Sequence, residues 1–292
     1  MRPAAEKLLF GTAGVPLSCP EDSSARAVEE VRRLGLEALE LEFVQGLNMG
    51  TETARLIRTL SRQHRVKLSA HAPYFINLNS PEAGKKMQSQ KLLLSSLRLA
   101  AAAGASDLVF HGGYYGSCTP EEALRNIKNS LREILSIVRS ENIPVRLRIE
   151  TTGKKRQFGS LDEVLSLCRE LEGLWPCLDF AHIYAREGKV NSYDDFCRVL
   201  HKVEKKLGRS AIKNAHIHIS GVRFNQSGEL KHLNLEESNF RFDEWLQALV
   251  DLGVAGTVIC ESPALESEAL MLKNLYENLR SKKSASEQPA ET

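Results

Sequence analysis

The chain has 292 residues, 42% hydrophobic and 26% charged, with a formal net charge of +2. These values are ordinary for a globular protein, and they exclude a fibrous or low-complexity chain. No apolar run approaches the 18 or more residues of a membrane-spanning helix, and the near-balanced charge neither supports nor excludes a local basic patch for nucleic acid.

In chain order, short β-rich runs alternate with helical patterns. The runs are "KLLFGTAG", "LEALELEFV", "VKLSAH" (66–71) and "DLVFHGG" (107–113). They continue with "VRLRIETT" (145–152), "PCLDFAH" (176–182), "NAHIHIS" (214–220) and "GTVICES" (256–262). Helices are predicted near 23–33, 51–63, 83–103, 241–251 and 265–280, where apolar residues recur with a period near 3.6. Three more carry explicit start signals. Thr119, Pro120 and Glu122 form a capping box with proline at the first helical position. Ser160 with Glu163 repeats the box, and a third helix starts at Ser192 and ends near Gly208.

Eight strand–helix repeats predict a parallel sheet closed into a (β/α)8 TIM barrel, an α/β fold. The alternative, an open doubly wound sheet, lacks a glycine-rich dinucleotide fingerprint, since "GTAGVP" has neither the third glycine nor a helix start. One domain is predicted over 1–280, with 281–292 a polar, disordered tail. The six cysteines show no CxxC spacing. They read as free thiols, which points to a reducing, cytoplasmic compartment.

The chemistry lies at the strand ends. Six successive strands finish on His71, His111, Glu150, Asp179 (with His182 three residues on), the pair His216 and His218, and Glu261. In a barrel these ends converge on the C-terminal mouth, where active sites form. Clustered buried carboxylates and imidazoles are costly unless cations compensate them. Imidazole and carboxylate donors suit Zn2+, Mn2+ or Fe2+. Seven or more donors exceed the four of one tetrahedral zinc, so two or three ions are expected. Carboxylate-bridged metal pairs suit phosphodiester hydrolysis.

The segments "HAPYFINLNSP", "VFHGG", "RIETTG", "CLDFAHIYA", "HIHISG" and "ICESP" resemble the endonuclease IV type of apurinic/apyrimidinic (AP) endonuclease, within the xylose isomerase-like TIM barrels. The resemblance spans about residues 8–280. It implies a zinc-dependent enzyme, with Mn2+ or Fe2+ possible at one site, that cuts double-stranded DNA 5′ to abasic sites in base excision repair. The products would be a 3′-hydroxyl and a 5′-deoxyribose phosphate.

Carried over by position, the resemblance assigns His71, His111 and Glu150 to a first ion. Glu150 bridges to a second, held by Asp179, His216 and Glu261, and His182 belongs to a third. Glu150 and Glu261 are the implied catalytic carboxylates. The family's third-site Asp-x-His is replaced by "GELKH", where His232 fits but Leu230 cannot coordinate. Glu229 is the nearest substitute, and His218 is another.

The resemblance implies Tyr74 and Phe75 as DNA contacts, as a wedge or as a cover of the barrel top. Basic candidates for phosphate contacts, Lys154, Lys155, Arg156, Arg223 and Lys231, lie on the loops after strands 5 and 7 at the catalytic face. The loop after strand 2, "EFVQGLNMGTE", lacks the family's basic or Trp-containing DNA grip. A monomer with no membrane association is expected. The alternative reading is a sugar isomerase or epimerase on the same barrel.

Overall fold

Short apolar runs of four to six residues, separated by helical segments, have one economical packing: strands inside, helices outside. The computed structural model describes residues 7–286 except 22, 44 and 45. Ten strands occur among them: β1 (Leu8–Ala13), β2 (Ala38–Glu42), β3 (Lys67–His71), β4 (Asp107–Phe110), β5 (Arg146–Glu150), β6 (Leu174–Asp179), β7 (Ala215–Ile219), β8 (Gly221–Asn225), β9 (Gly228–Leu233) and β10 (Gly256–Cys260). All but β8 and β9 close into a parallel barrel in the order β1-β10-β7-β6-β5-β4-β3-β2. The predicted TIM barrel is thus the observed fold.

The helices follow the sequence signals closely. They are α1 (Ser24–Arg33), α2 (Thr51–His64), α3 (Ala83–Ala103), α4 (Pro120–Ser140), α5 (Leu161–Glu170), α6 (Phe180–Glu187), α7 (Tyr193–Leu207), α8 (Arg209–Lys213), α9 (Phe242–Asp251) and α10 (Glu266–Ser286). Both predicted capping boxes form: Thr119 Oγ1 accepts from the Glu122 amide and Ser160 Oγ from the Glu163 amide, each with the reciprocal bond. Helix α10 runs to Ser286. Residues 281–286, expected in a disordered tail, are therefore helical, and 287–292 lie outside the described residues. Among the described residues no helix is long and apolar enough to cross a membrane.

Two features depart from the sequence expectation. Helix α6 begins directly at the end of β6, with Asp179 as its cap. Strands β8 and β9 form an antiparallel hairpin after β7, where the sequence predicts a loop. The hairpin lays Val222 against Ala181 and Ala185 of α6, and the Phe224 ring meets Tyr184 edge-on at 4.9 Å.

The apolar core lies between barrel and helices, with Leu39, Leu147, Ile149 and Ile217 meeting helix residues such as Val28, Leu97 and Leu131. The lumen, by contrast, is polar. At the bottom Arg148, 1% exposed, pairs with Asp107 at 2.5 Å and donates to the carbonyls of Pro176 and Asn214. Arg146 adds a second, bidentate pair to Asp107. Above this plug lie Glu40, Ser69 and His216, and above them the strand-end residues, nearly all buried.

Candidate metal centre

Side chains two apart on a strand share a face, and the later one lies about 6.6 Å nearer the strand's C-terminal end. That rule decides which lumen residues reach the mouth. Glu150, the last residue of β5, is 1% exposed and forms the hub. Its Oε2 lies 3.0 Å from His71 Nε2 and 2.9 Å from His111 Nε2, while its Oε1 lies 3.1 Å from His182 Nδ1.

Among the described residues, four donor groups are compact enough to share a cation. They are His71–His111–Glu150, Glu150–Asp179–His218–Glu261, His182–Glu229–His232 and, deeper, Cys177–His216–His218. The expected residues His71, His111, Glu150, Asp179, His182, Glu229, His232 and Glu261 therefore all converge.

His216 does not join them at the level assigned to it. Asp179 is in register with His218 across β6 and β7, and His218 Nδ1 lies 3.0 Å from Glu261 Oε1. His216 sits one layer down, in register with Thr257, with Nε2 2.9 Å from Glu40 Oε2. The group formed with Asp179 and Glu261 therefore contains His218 and not the expected His216, because the second histidine is nearer the mouth. Glu40 itself was missed. The clue was present in the alternation "ELE" of strand 2, which points two carboxylates to one face.

The third group depends on an irregularity. In the hairpin Arg223 pairs with Lys231, but Phe224 pairs with Glu229, so Leu230 is an extra residue. Such a bulge re-aims the side chains around it. It lets Glu229 and His232, three apart, approach His182 together: Glu229 Oε2 and His232 Nε2 lie 3.3 and 3.4 Å from His182 Nε2. Leu230 points to solvent and is 52% exposed. The hairpin is clipped to the β5–α5 loop by the Glu229 amide, which donates to the Gly153 carbonyl. A side chain at position 153 would meet the Glu229 Cβ at 2.6 Å, so only glycine admits this approach.

Hydrogen bonding tests whether these donors suit a cation. His71 Nδ1 lies 2.7 Å from the Ala72 carbonyl, and His232 Nδ1 lies 3.2 Å from that of Glu261. A carbonyl only accepts, so each Nδ1 carries the proton and each Nε2 presents a lone pair. Those lone pairs face Glu150 and the His182–Glu229 pair. Acceptor facing acceptor in a buried site needs a cation between, either a proton or a metal. Glu150 Oε1, Asp179 Oδ2 and His218 Nδ1 are likewise buried without a hydrogen bond. The electrostatics point the same way. Burial works against charge on His71, but its bond to Glu150 prevails and lifts the pKa to about 9. Burial lifts Asp179 to about 7. The donor set fits metal.

A cavity of about 360 Å³ opens over the group, lined by Tyr74, Tyr114, Lys154 and Gln157 besides the donors. Tyr74 packs against His71 and His111, with ring centroids 5.2 and 5.8 Å away, and remains 51% exposed. Phe75 is exposed beside it. Lys155 and Arg156 line an adjoining groove that shares Lys154 and Glu229 with the cavity. Arg223 and Lys231 are not brought in. They pair across the hairpin at positions alternating with His232, and Arg223 lines a separate depression with Tyr184 and Phe224.

The family model of the xylose isomerase-like TIM barrel matches residues 28–282. An uncharacterized protein of Methanocaldococcus jannaschii is 45% identical over 93% of this chain and 98% of its own length. A "Probable endonuclease 4" of Aquifex aeolicus is 31% identical over 66% of this chain and 68% of its own. Among solved structures, endonuclease IV from Thermus thermophilus superimposes with a TM-score of 0.72 at 22% identity, covering 93% and 99% of the two chains. A D-tagatose 3-epimerase-like protein superimposes with a TM-score of 0.73 at 18% identity, covering 94% and 99%. These two likenesses show the barrel fold alone. On the family model and the Aquifex relative, the chain belongs to the AP endonuclease 2 family of xylose isomerase-like TIM barrels.

Proposed function

We propose that the chain is a metal-dependent phosphodiesterase that cuts double-stranded DNA on the 5′ side of abasic sites, leaving a 3′-hydroxyl and a 5′-deoxyribose phosphate. One observation carries the reading: three donor groups meet around Glu150, enough for three ions within one pocket. A free-sugar isomerase or epimerase needs fewer. The endonuclease 4 relatives support the same direction.

In this reading His71, His111 and Glu150 hold one ion, Glu150, Asp179, His218 and Glu261 a second, and His182, Glu229 and His232 a third. Zinc suits the imidazole and carboxylate donors, with Mn2+ or Fe2+ as substitutes. When bound, the ions supply Lewis acidity at the phosphate and a nucleophile near neutral pH. The chain's own groups do the rest. Glu150 spans neighbouring groups with its two oxygens. Glu261, at the rim of the cavity, is placed to hold or pass a proton. Lys154 and its loop neighbours offset the charge of the phosphate backbone, while Tyr74 and Phe75 stand where the duplex would be pried open. A sugar without its base leaves the stack at little cost, so shape alone can select it.

The test is incubation of zinc-loaded protein with a duplex carrying a single abasic analogue, with and without chelator. A chelator-sensitive nick 5′ to the site is expected, and Glu150→Ala should abolish it. Turnover of free ketoses without any nick would overturn the reading in favour of an epimerase.

A further inference from the structure

Beneath the mouth, Glu40 of β2 reaches across the lumen to β7, which is not its neighbour in the barrel. Its side chain is fully buried. Oε2 accepts from Ser69 Oγ at 2.6 Å and from His216 Nε2 at 2.9 Å; Oε1 lies 2.9 Å from His218 Nε2, an ion-pair contact whose angles fall outside hydrogen-bond geometry. Ser69 is also the register partner of Glu40 across β2 and β3. His218 thus has a carboxylate at each ring nitrogen: Glu40 below at Nε2, and Glu261 above at Nδ1, 3.0 Å away.

We infer that Glu40 is a positioning residue for the second metal group, with Ser69 and His216 holding it in place. This rests on the reading of the mouth as a metal centre. A carboxylate at Nε2 draws the imidazole proton to that nitrogen. Nδ1 is then left as a lone pair aimed at the space shared by Glu150, Asp179 and Glu261. A carboxylate behind a ligating histidine also raises its basicity, and its loss typically weakens metal affinity about 10–100-fold. The same contacts explain the histidine pair on β7. The mouth-side histidine ligates, and the deeper one anchors the carboxylate that orients it. A hydrophobic filler at position 40 would pack the lumen equally well but would leave the His218 tautomer undetermined.

The experiment compares wild type, Glu40→Gln, Glu40→Ala, Ser69→Ala and Cys177→Ala. Each is loaded with Zn2+, its ions are counted by elemental analysis, and affinity is read by chelator competition. A Co2+-loaded series reports the ligand field by visible absorption. Glu40→Gln should weaken one ion about 10–100-fold, leave the others at wild-type affinity, and change the Co2+ spectrum. Glu40→Ala should do so more strongly and Ser69→Ala more weakly. Glu40→Gln is nearly isosteric, and Ser69→Ala removes only one contact of Glu40, so misfolding of the alanine variant does not block the test.

A purely structural role would lower the melting temperature without singling out one ion. Retention of every ion at wild-type affinity in Glu40→Gln and Ser69→Ala would overturn the inference. A wild-type protein that binds no metal would overturn the metal centre and this role with it. Loss of the same ion in Cys177→Ala would make the deeper Cys177–His216–His218 group a ligand set in its own right, and would overturn the positioning role.

Discussion

Asp179 and His218 are register partners across β6 and β7, and that pairing places the second histidine of "HIHIS" on the level of Glu150 and Glu261. The first histidine turns to Glu40 instead. The parallel ladder thus separates two residues that share one face and one chemistry.

The separation can be measured. His218→Ala is expected to lose one bound ion per chain and to reduce abasic-site nicking by at least about 100-fold, since a missing ligand costs more than a missing neighbour of a ligand. His216→Ala is expected to keep the full number of ions with only a modest drop in affinity. Elemental analysis of the two purified variants decides. Equal metal content would return the assignment to both histidines.

The hairpin gives a prediction about length rather than chemistry. Deleting Leu230 removes the extra residue of β9 and restores plain alternation, with Glu229 and the histidine then two apart on one face. Metal binding by His182, Glu229 and His232 should survive the deletion. An alanine inserted after Leu230 should break it, because the bulge already accommodates the one surplus residue. Metal counting on both variants checks this, with retention in the insertion variant as the contrary result.

At the other end of the barrel, Asp107 neutralises Arg148 and Arg146. Burial opposes its ionisation, but Arg148 and then Arg146 hold its carboxyl well below the usual range. Removing one partner of a buried pair costs about 3–5 kcal/mol. Asp107→Asn should therefore lower unfolding free energy by roughly that amount in urea, with metal content unchanged. The folded pKa is depressed, so the contribution is present above the unfolded value of about 3.9 and is lost as pH falls toward the folded one. The variant's stability should vary less with pH below about 4 than the wild type's. A parallel acid limb in both proteins would contradict this.

Tyr74 combines exposure with ring contact to two ligand candidates. Tyr74→Ala should weaken binding to an abasic duplex about tenfold or more, as loss of one aromatic stacking platform of about 1–3 kcal/mol implies. Metal content should not change. Binding measured with a catalytically dead Glu150→Ala background avoids cleavage of the probe, and unchanged affinity there would make Tyr74 a cover of the barrel top.

The barrel is legible in the chain itself, because eight short apolar runs alternating with helical segments have few other ways to bury both faces of each strand. Most of the donors are legible too, because a side chain at the end of a barrel strand has only the mouth to face. Three features are settled only by packing. Register between β6 and β7 chose His218 over His216, since a two-residue step along a strand carries the same face about 6.6 Å further and local sequence holds no reference level. The bulge at Leu230 brought Glu229 to His182 and His232, since an unpaired residue is defined only by the strand opposite it. And Glu40 met His216 and His218 across the lumen, a contact between residues 176 positions apart at His216 that exists only once the barrel has closed.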